Sequence, residues 1–205
     1  MVKKILFVCL GNICRSPAAE GIFNQKIKER DLEKLFVVDS AGTGSWHVGN
    51  LPDKRMRSTA LSRGIELTSR SRQIEENDLY EFDQILVMDK DNLDAVKSLT
   101  KDQNNPVNSK IKLILSYSKN FQLDEVPDPY YGGQNGFDKV IDLLDNFLHS
   151  LLITGFIKKD FSCNCKIRCV SYSPIGMSCF PFTCFNMTNY MLCTINIREF
   201  ISHKC

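Results

Sequence analysis

The chain has 205 residues, with 26 Lys+Arg against 24 Asp+Glu, a formal net charge of +2 and nine cysteines. So even a balance argues against a nucleic-acid-binding protein, which carries a strong basic excess. The longest late apolar stretch, residues 151–157, is far too short to span a bilayer.

These averages hide an asymmetry. Residues 1–153 carry 20 basic and 22 acidic side chains, whereas residues 154–205 carry 6 and 2. Two cysteines open the chain, none lies between Arg15 and Ser162, and seven fall in the last 43 residues. The apolar run after Met1-Val2-Lys3-Lys4 is too short for a secretory leader, so a reduced, cytoplasmic setting is expected.

Ile5-Leu6-Phe7-Val8 is a short continuous apolar run, as a buried parallel strand requires. Ser16 and Pro17 suit a helix N-terminus, and Ala19, Ile22, Phe23 and Ile27 follow at helical spacing. Leu35–Val38 reads as the second strand, and Asp39-Ser40-Ala41-Gly42-Thr43-Gly44 as loop. Asp53–Arg63, closed by Gly64, reads as a helix with a glycine stop. Ile85–Met88 is a third strand ending at Asp89, which is read as the cap of a helix carrying Leu93, Val96 and Leu99. Lys110–Leu115 is a fourth strand. Phe137, Val140, Ile141, Leu144, Phe147, Leu148 and Leu151 then form a strong amphipathic helix.

This alternation predicts an α/β fold with a four-stranded parallel sheet flanked by helices. In such sheets ligands sit beyond the carboxyl ends of the strands, here Cys9, Ser40, Asp89 and the loop carrying Asp128. After Ile153 the periodicity fails. Residues 154–205 are expected to form a Cys-rich, poorly ordered tail, whose cysteines make no repeated C-x-x-C pair for zinc. The sequon at Asn186 carries no weight without a secretory leader.

Residues 9–15, Cys-Leu-Gly-Asn-Ile-Cys-Arg, join the first strand to the first helix. Gly11 and Asn12 are the residue types that most readily take positive φ, so the loop can turn its N–H groups inward as an anion nest. The following helix adds its positive end, and Arg15 adds a planar fork for two phosphate oxygens. Cys9, at the bottom of this bowl, is placed to attack phosphorus. Such surroundings lower a thiol pKa from near 8.5 to about 3.5–7.5, which predicts a thiolate at neutral pH. Asp128, between two prolines that stiffen its loop, is the candidate general acid and then base.

"VCLGNICRSP" (8–17), "VDSAGT" (38–43), "RQI" (72–74), "VMDKDNL" (87–93) and "DPYYGG" (128–133) together resemble the low-molecular-weight protein tyrosine phosphatases, in order, over about residues 3–153. The resemblance implies phosphotyrosine-containing proteins as partners and no cofactor or metal. It also implies Cys9 as nucleophile, Arg15 as phosphate clamp and Asp128 as general acid. Leu10, Gly11, Asn12, Ile13, Cys14 and Ser16 would form the phosphate-binding loop, with Asn12, Ser16 and Ser40 shaping its hydrogen bonds. Trp46 and Tyr130 would wall the aromatic cleft, and Tyr130 and Tyr131 would be phosphorylation targets. Cys14 would be the redox partner of Cys9. Some relatives carry a histidine before the "RQ"; Ser69 stands at that place here.

Three other readings compete. Arsenate reductases of this fold need further cysteines in the catalytic domain, and none follows Arg15 before Ser162. Arginine phosphatases of the family resemble C-T-G-N-T-C-R-S, with threonine where Ile13 stands; an aliphatic side chain there suits a flat aromatic ring. A phospho-binding scaffold would be expected to lack the chemistry of Cys9 or Asp128, and both are present.

Overall fold

The computed structural model describes residues 2–100, 102, 104–117, 123–130 and 132–152. The predicted tail, 154–205, lies outside them, as does Tyr131. Four parallel strands form one sheet: β1 (Lys3–Cys9), β2 (Phe36–Gly42), β3 (Gln84–Val87) and β4 (Ile111–Leu113), in the order β2-β1-β3-β4. They alternate with α1 (Arg15–Lys28), α2 (Lys54–Leu61), α3 (Glu76–Glu81), α4 (Lys90–Lys97) and α5 (Gly133–Leu151). The predicted fold class is therefore the observed one.

The period-2 geometry of a strand sorts β1 onto two cores. Ile5, Phe7 and Cys9 face one core, built with Ile22, Phe23 and Ile27 of α1 and the apolar stripe of α5. Leu6 and Val8 face the other, with Leu79 of α3 and Val96 of α4. Both faces of β1 are thus covered, which is why it reads as an unbroken apolar run.

Strand order also places the site. β1 is followed in sequence by β2 on one side, while β3 pairs on its other side. The order reverses at β1, and the crevice of such a sheet opens at the carboxyl end of that strand. Cys9 occupies that end.

Several boundaries differ from the sequence reading. Asp39–Gly42 is strand rather than loop: β2 stays in register with β1 to the pair Cys9–Gly42. Its end is small because Ser40 and Gly42 border the site, while Ala41 between them joins the second core. β4 stops at Leu113, and Ile114–Tyr117 turns into a 3₁₀ helix. The six-residue α3 gives no apolar period; a reciprocal capping box between Glu75 and Asp78 marks its start instead. Asp53 is the cap of α2 rather than its first turn, its side chain accepting from the Arg55 N–H.

Phe23 is fully buried and meets Phe7 at 5.9 Å and Phe36 at 5.5 Å between ring centroids. Phe23→Ala is expected to cost about 3–5 kcal/mol of stability, measured by urea unfolding. A loss below about 1 kcal/mol would show that this aromatic cluster does not hold α1 to the sheet.

Candidate active site

The loop from Cys9 to Arg15 is everted. Almost every carbonyl along it is taken by a donor outside the loop. Cys9 O accepts from Thr43 N (2.9 Å), Leu10 O from Gly44 N (2.8 Å) and Ile13 O from Asp53 N (2.8 Å). Gly11 O accepts from the Ser71 hydroxyl (3.1 Å), and Cys14 O from Ala18 N within α1 (3.2 Å).

A trans peptide points its N–H opposite to its C=O. Anchoring the carbonyls outward therefore turns the N–H groups of Leu10, Gly11, Asn12 and Cys14 toward the loop's interior. The Asn12 N–H bears this out, donating to the Cys9 sulfur at 3.3 Å. Arg15 opens α1 and so adds the helix's positive end.

Asn12 makes the curl possible. It sits at φ +52°, a region that asparagine tolerates better than most residues. Its buried amide is fixed by three bonds: Oδ1 accepts from Arg72 N (2.9 Å), while Nδ2 donates to the hydroxyls of Ser16 and Ser40 (both 2.9 Å). Ser16 Oγ lies 3.1 Å from the Cys9 sulfur and 3.2 Å from Ala41 O. Gly42 closes the back of the loop; a Cβ there would lie 2.9 Å from Leu10 O and 3.0 Å from Asn12 N.

Arg15, only 3% exposed, reaches across the crevice. Nη1 donates to Asp89 Oδ2 (2.5 Å) and Val126 O (3.1 Å), and Nη2 to Asp128 Oδ2 (2.8 Å). Burial works against the charged guanidinium, but Cys9, Asp128 and Asp89 outweigh it and raise its pKa. The reading of Asp89 as a helix cap alone is thus incomplete. Its Oδ1 does cap α4 through Asn92 N (2.7 Å), while its Oδ2 holds Arg15. Asp128 also does two things: Oδ1 accepts from Tyr130 N in a local turn, and Oδ2 meets Arg15.

The remaining predicted residues surround the bowl. Leu10 is exposed at its mouth, and Ile13 packs against the core on the α1 side. Trp46 is 63% exposed, its ring folded over Gly44, where any Cβ would collide with it. Tyr130 is 44% exposed; Arg55, itself gripped by Asp53, lies 5.2 Å above its ring and donates to its carbonyl. The sequence reading gave no site role to Arg72 or Ser71, and none to Asp53 beyond opening a helix. Arg72 joins three parts of the chain, pairing with Asp39 of β2 and Asp78 of α3 while its N–H holds Asn12.

A scan against family models matches residues 4–162 to "Low molecular weight phosphotyrosine protein phosphatase". The chain belongs to that family. A putative low molecular weight protein-tyrosine-phosphatase of Synechocystis sp. is 50% identical over 149 residues, which cover 73% of this chain and 94% of the relative. Among solved structures, a protein tyrosine phosphatase from Entamoeba histolytica with Hepes in the active site aligns with TM-score 0.71 and 41% identity. That alignment covers 77% of this chain and 99% of the other. A Drosophila arginine phosphatase aligns with TM-score 0.68 and 33% identity, over 73% of this chain and 96% of that one. As a member of the phosphatase family the chain is a hydrolase. No described helix is long and apolar enough to cross a membrane.

Cys9 and Cys14 are both free and buried. Burial first, then the charges of Asp53, Cys9 and Asp128, push the Cys14 thiol up to about 12. It is expected to stay protonated, and so slow to alkylate, as long as Cys9 is not oxidised. Iodoacetamide at neutral pH should spare Cys14 over a period that alkylates it fully in urea, read by peptide mass spectrometry; equal rates would contradict this.

Proposed function

We propose that this phosphatase hydrolyses phosphotyrosine in proteins through a phosphocysteine on Cys9, with Arg15 as clamp and Asp128 as general acid and then base. The observation that carries this reading is the outward anchoring of the loop carbonyls, which leaves a ring of N–H groups around one sulfur. A dianionic phosphate fits that ring and the forked guanidinium beside it. In the resting site Asp128 occupies Nη2 of Arg15. An arriving phosphate takes that place and frees Asp128, which takes up a proton from solvent and faces the leaving oxygen.

Each step balances. The Cys9 thiolate attacks phosphorus as the bond to the tyrosine oxygen breaks, and that oxygen takes the proton of Asp128. Asp128, now ionised, accepts a proton from water as the water attacks phosphorus. The P–S bond breaks, regenerating the thiolate and releasing inorganic phosphate. N–H groups aimed at the developing charge stabilise both transition states. No cofactor is called for.

Trp46 and Tyr130 are proposed to flank the aromatic ring of the substrate. Ile13 favours phosphotyrosine over phosphoarginine, because its partly buried aliphatic side chain brings no polar atom to the loop and suits a flat aromatic ring. Tyr130 and Tyr131 are the proposed phosphorylation targets. The catalytic unit is placed at residues 1–153, with 154–205 as an appended tail, and the setting is read as cytoplasmic.

Cys14 is inferred to be the redox partner. Peroxide would convert the Cys9 thiolate to a sulfenic acid, which condenses with the Cys14 thiol to a disulfide and releases water. Loss of the Cys9 charge removes one of the influences that hold Cys14 protonated.

Asp128→Asn is expected to slow phenyl phosphates with poor leaving groups by roughly 10²–10⁴, and those with strongly acidic leaving groups far less. Steady-state kinetics over a leaving-group series measures this. An equal loss throughout would make Asp128 a turn former and nothing more.

A further inference from the structure

Asp128 sits on a loop with few backbone ties of its own. Val126 is fully buried, and its N–H donates to Met88 O (2.8 Å), which roots the loop beside the end of β3. Pro127 and Pro129 follow, and proline has no N–H to give. Gly132 N then donates to Pro129 O (3.0 Å) in a local turn that leads into α5. Two arginines tie the stretch between to the rest of the domain. Arg15 holds Asp128 Oδ2, and Arg55 holds Tyr130. The first tie does not last through the proposed reaction, because an entering phosphate takes Nη2 of Arg15 from Asp128. The second tie remains.

Arg55 lies in the first turn of α2. Its Nε donates to Asp53 Oδ1 (3.0 Å) and its Nη2 to Asp53 Oδ2 (2.8 Å), a two-pronged grip that fixes the plane of the guanidinium. Asp53 is itself fixed: it caps α2, and its N–H donates to Ile13 O of the phosphate-binding loop (2.8 Å). The remaining nitrogen of Arg55, Nη1, donates to Tyr130 O (3.3 Å). The guanidinium carbon lies 4.6 Å from the ring centre of Phe137 and 5.2 Å from that of Tyr130. Phe137 is a fully buried residue of α5, so the cation joins the loop to a rigid aromatic floor as well as to α2.

Tyr130 carries this hold to the acid. Its N–H donates to Asp128 Oδ1 (3.0 Å). An oxygen that accepts from an N–H is the poorer one to bear a proton, so the proton of the acid belongs on Oδ2, the oxygen released from Arg15. Where Tyr130 is held therefore decides where Oδ2 points.

We infer that Arg55 is a positioning residue for the general acid: anchored through Asp53 to the phosphate-binding loop, it holds Tyr130 and so keeps Oδ2 of Asp128 at the leaving oxygen once phosphate has displaced that carboxylate from Arg15. This role rests on the reading of Asp128 as general acid.

Arg55→Lys in the full chain keeps a charge beside Asp53 but loses the planar fork, so it cannot grip Asp53 and Tyr130 together. Asp128→Asn and the double variant complete a cycle. Loosening the acid forfeits part of its contribution: kcat is expected to fall about tenfold on phenyl phosphates with poor leaving groups, and less than about twofold on those with strongly acidic ones. In the Asp128→Asn background the same substitution should cost less than about twofold on both, because the group it positions can no longer give a proton. With inorganic phosphate bound, exchange of the Tyr130 amide hydrogen, followed by nuclear magnetic resonance, should quicken about tenfold. Native-level kcat, a loss equal across the leaving groups, a loss undiminished in the Asp128→Asn background, or Tyr130 exchange at the native rate would overturn the role of Arg55. Failure of the underlying reading has a different signature: Asp128→Asn alone would slow every leaving group equally, and the acid, with the residue said to position it, would fall together. A leaving-group dependence intact in Asp128→Asn beside native Tyr130 exchange in Arg55→Lys would sink Arg55 alone.

Discussion

The arrangement depends on the eversion of one loop. A seven-residue turn between a strand and a helix would ordinarily satisfy its own carbonyls or leave them to water. Here the surrounding chain takes them: Thr43 and Gly44 after β2, Asp53 before α2, and Ser71 before the "RQI" stretch. Those donors come from segments far apart in sequence, so the loop is shaped only when the whole domain has closed around it. Gly42 lets the strand approach closely enough to do this, and Asn12 accepts the positive φ that the curl demands. The N–H groups left facing inward form a site complementary to a tetrahedral dianion before any ligand arrives.

A second consequence follows from placing a cation in such a pocket. Arg15 is almost wholly buried, and an unpaired charge there would cost several kcal/mol. Two carboxylates answer it, with different exposure. The Asp89 side chain is 19% exposed and is also tied to α4, whereas that of Asp128 is 39% exposed and belongs to a loop. Asp89 is thus the more firmly held partner, and in the proposed reaction Asp128 is the one an entering phosphate displaces. The proposed exchange releases Asp128 from its ion pair, so that it can take up a proton from solvent and serve as general acid without moving the arginine.

The sheet was legible in the sequence because its central strands are buried on both faces and show as unbroken apolar runs. Its edges were not. The polar end of β2 resembles a loop because its side chains serve the site, and α3 is too short for a helical period. Cys9, Arg15 and Asp128 could be proposed from residue type and spacing, and the fold brings Arg15 into contact with Asp128 and the Cys9 loop. Asp89 and Arg72 act through partners far along the chain; Arg15 and Asp89 are 74 residues apart. No local pattern carries such a pairing. Asp89 shows the difficulty well: its sequence context announces a helix cap, one oxygen is a cap, and only the fold reveals the other.

The most direct test of the central claim is rapid acid quench of the full chain during turnover of a phosphotyrosine peptide, followed by peptide mass spectrometry. A phosphoryl group is expected on Cys9, within the tryptic peptide 5–15, and absent after Cys9→Ser. Turnover with no phosphorylated cysteine at any quench time, or with the phosphoryl group on another residue, would contradict Cys9 as the nucleophile at the centre of this loop.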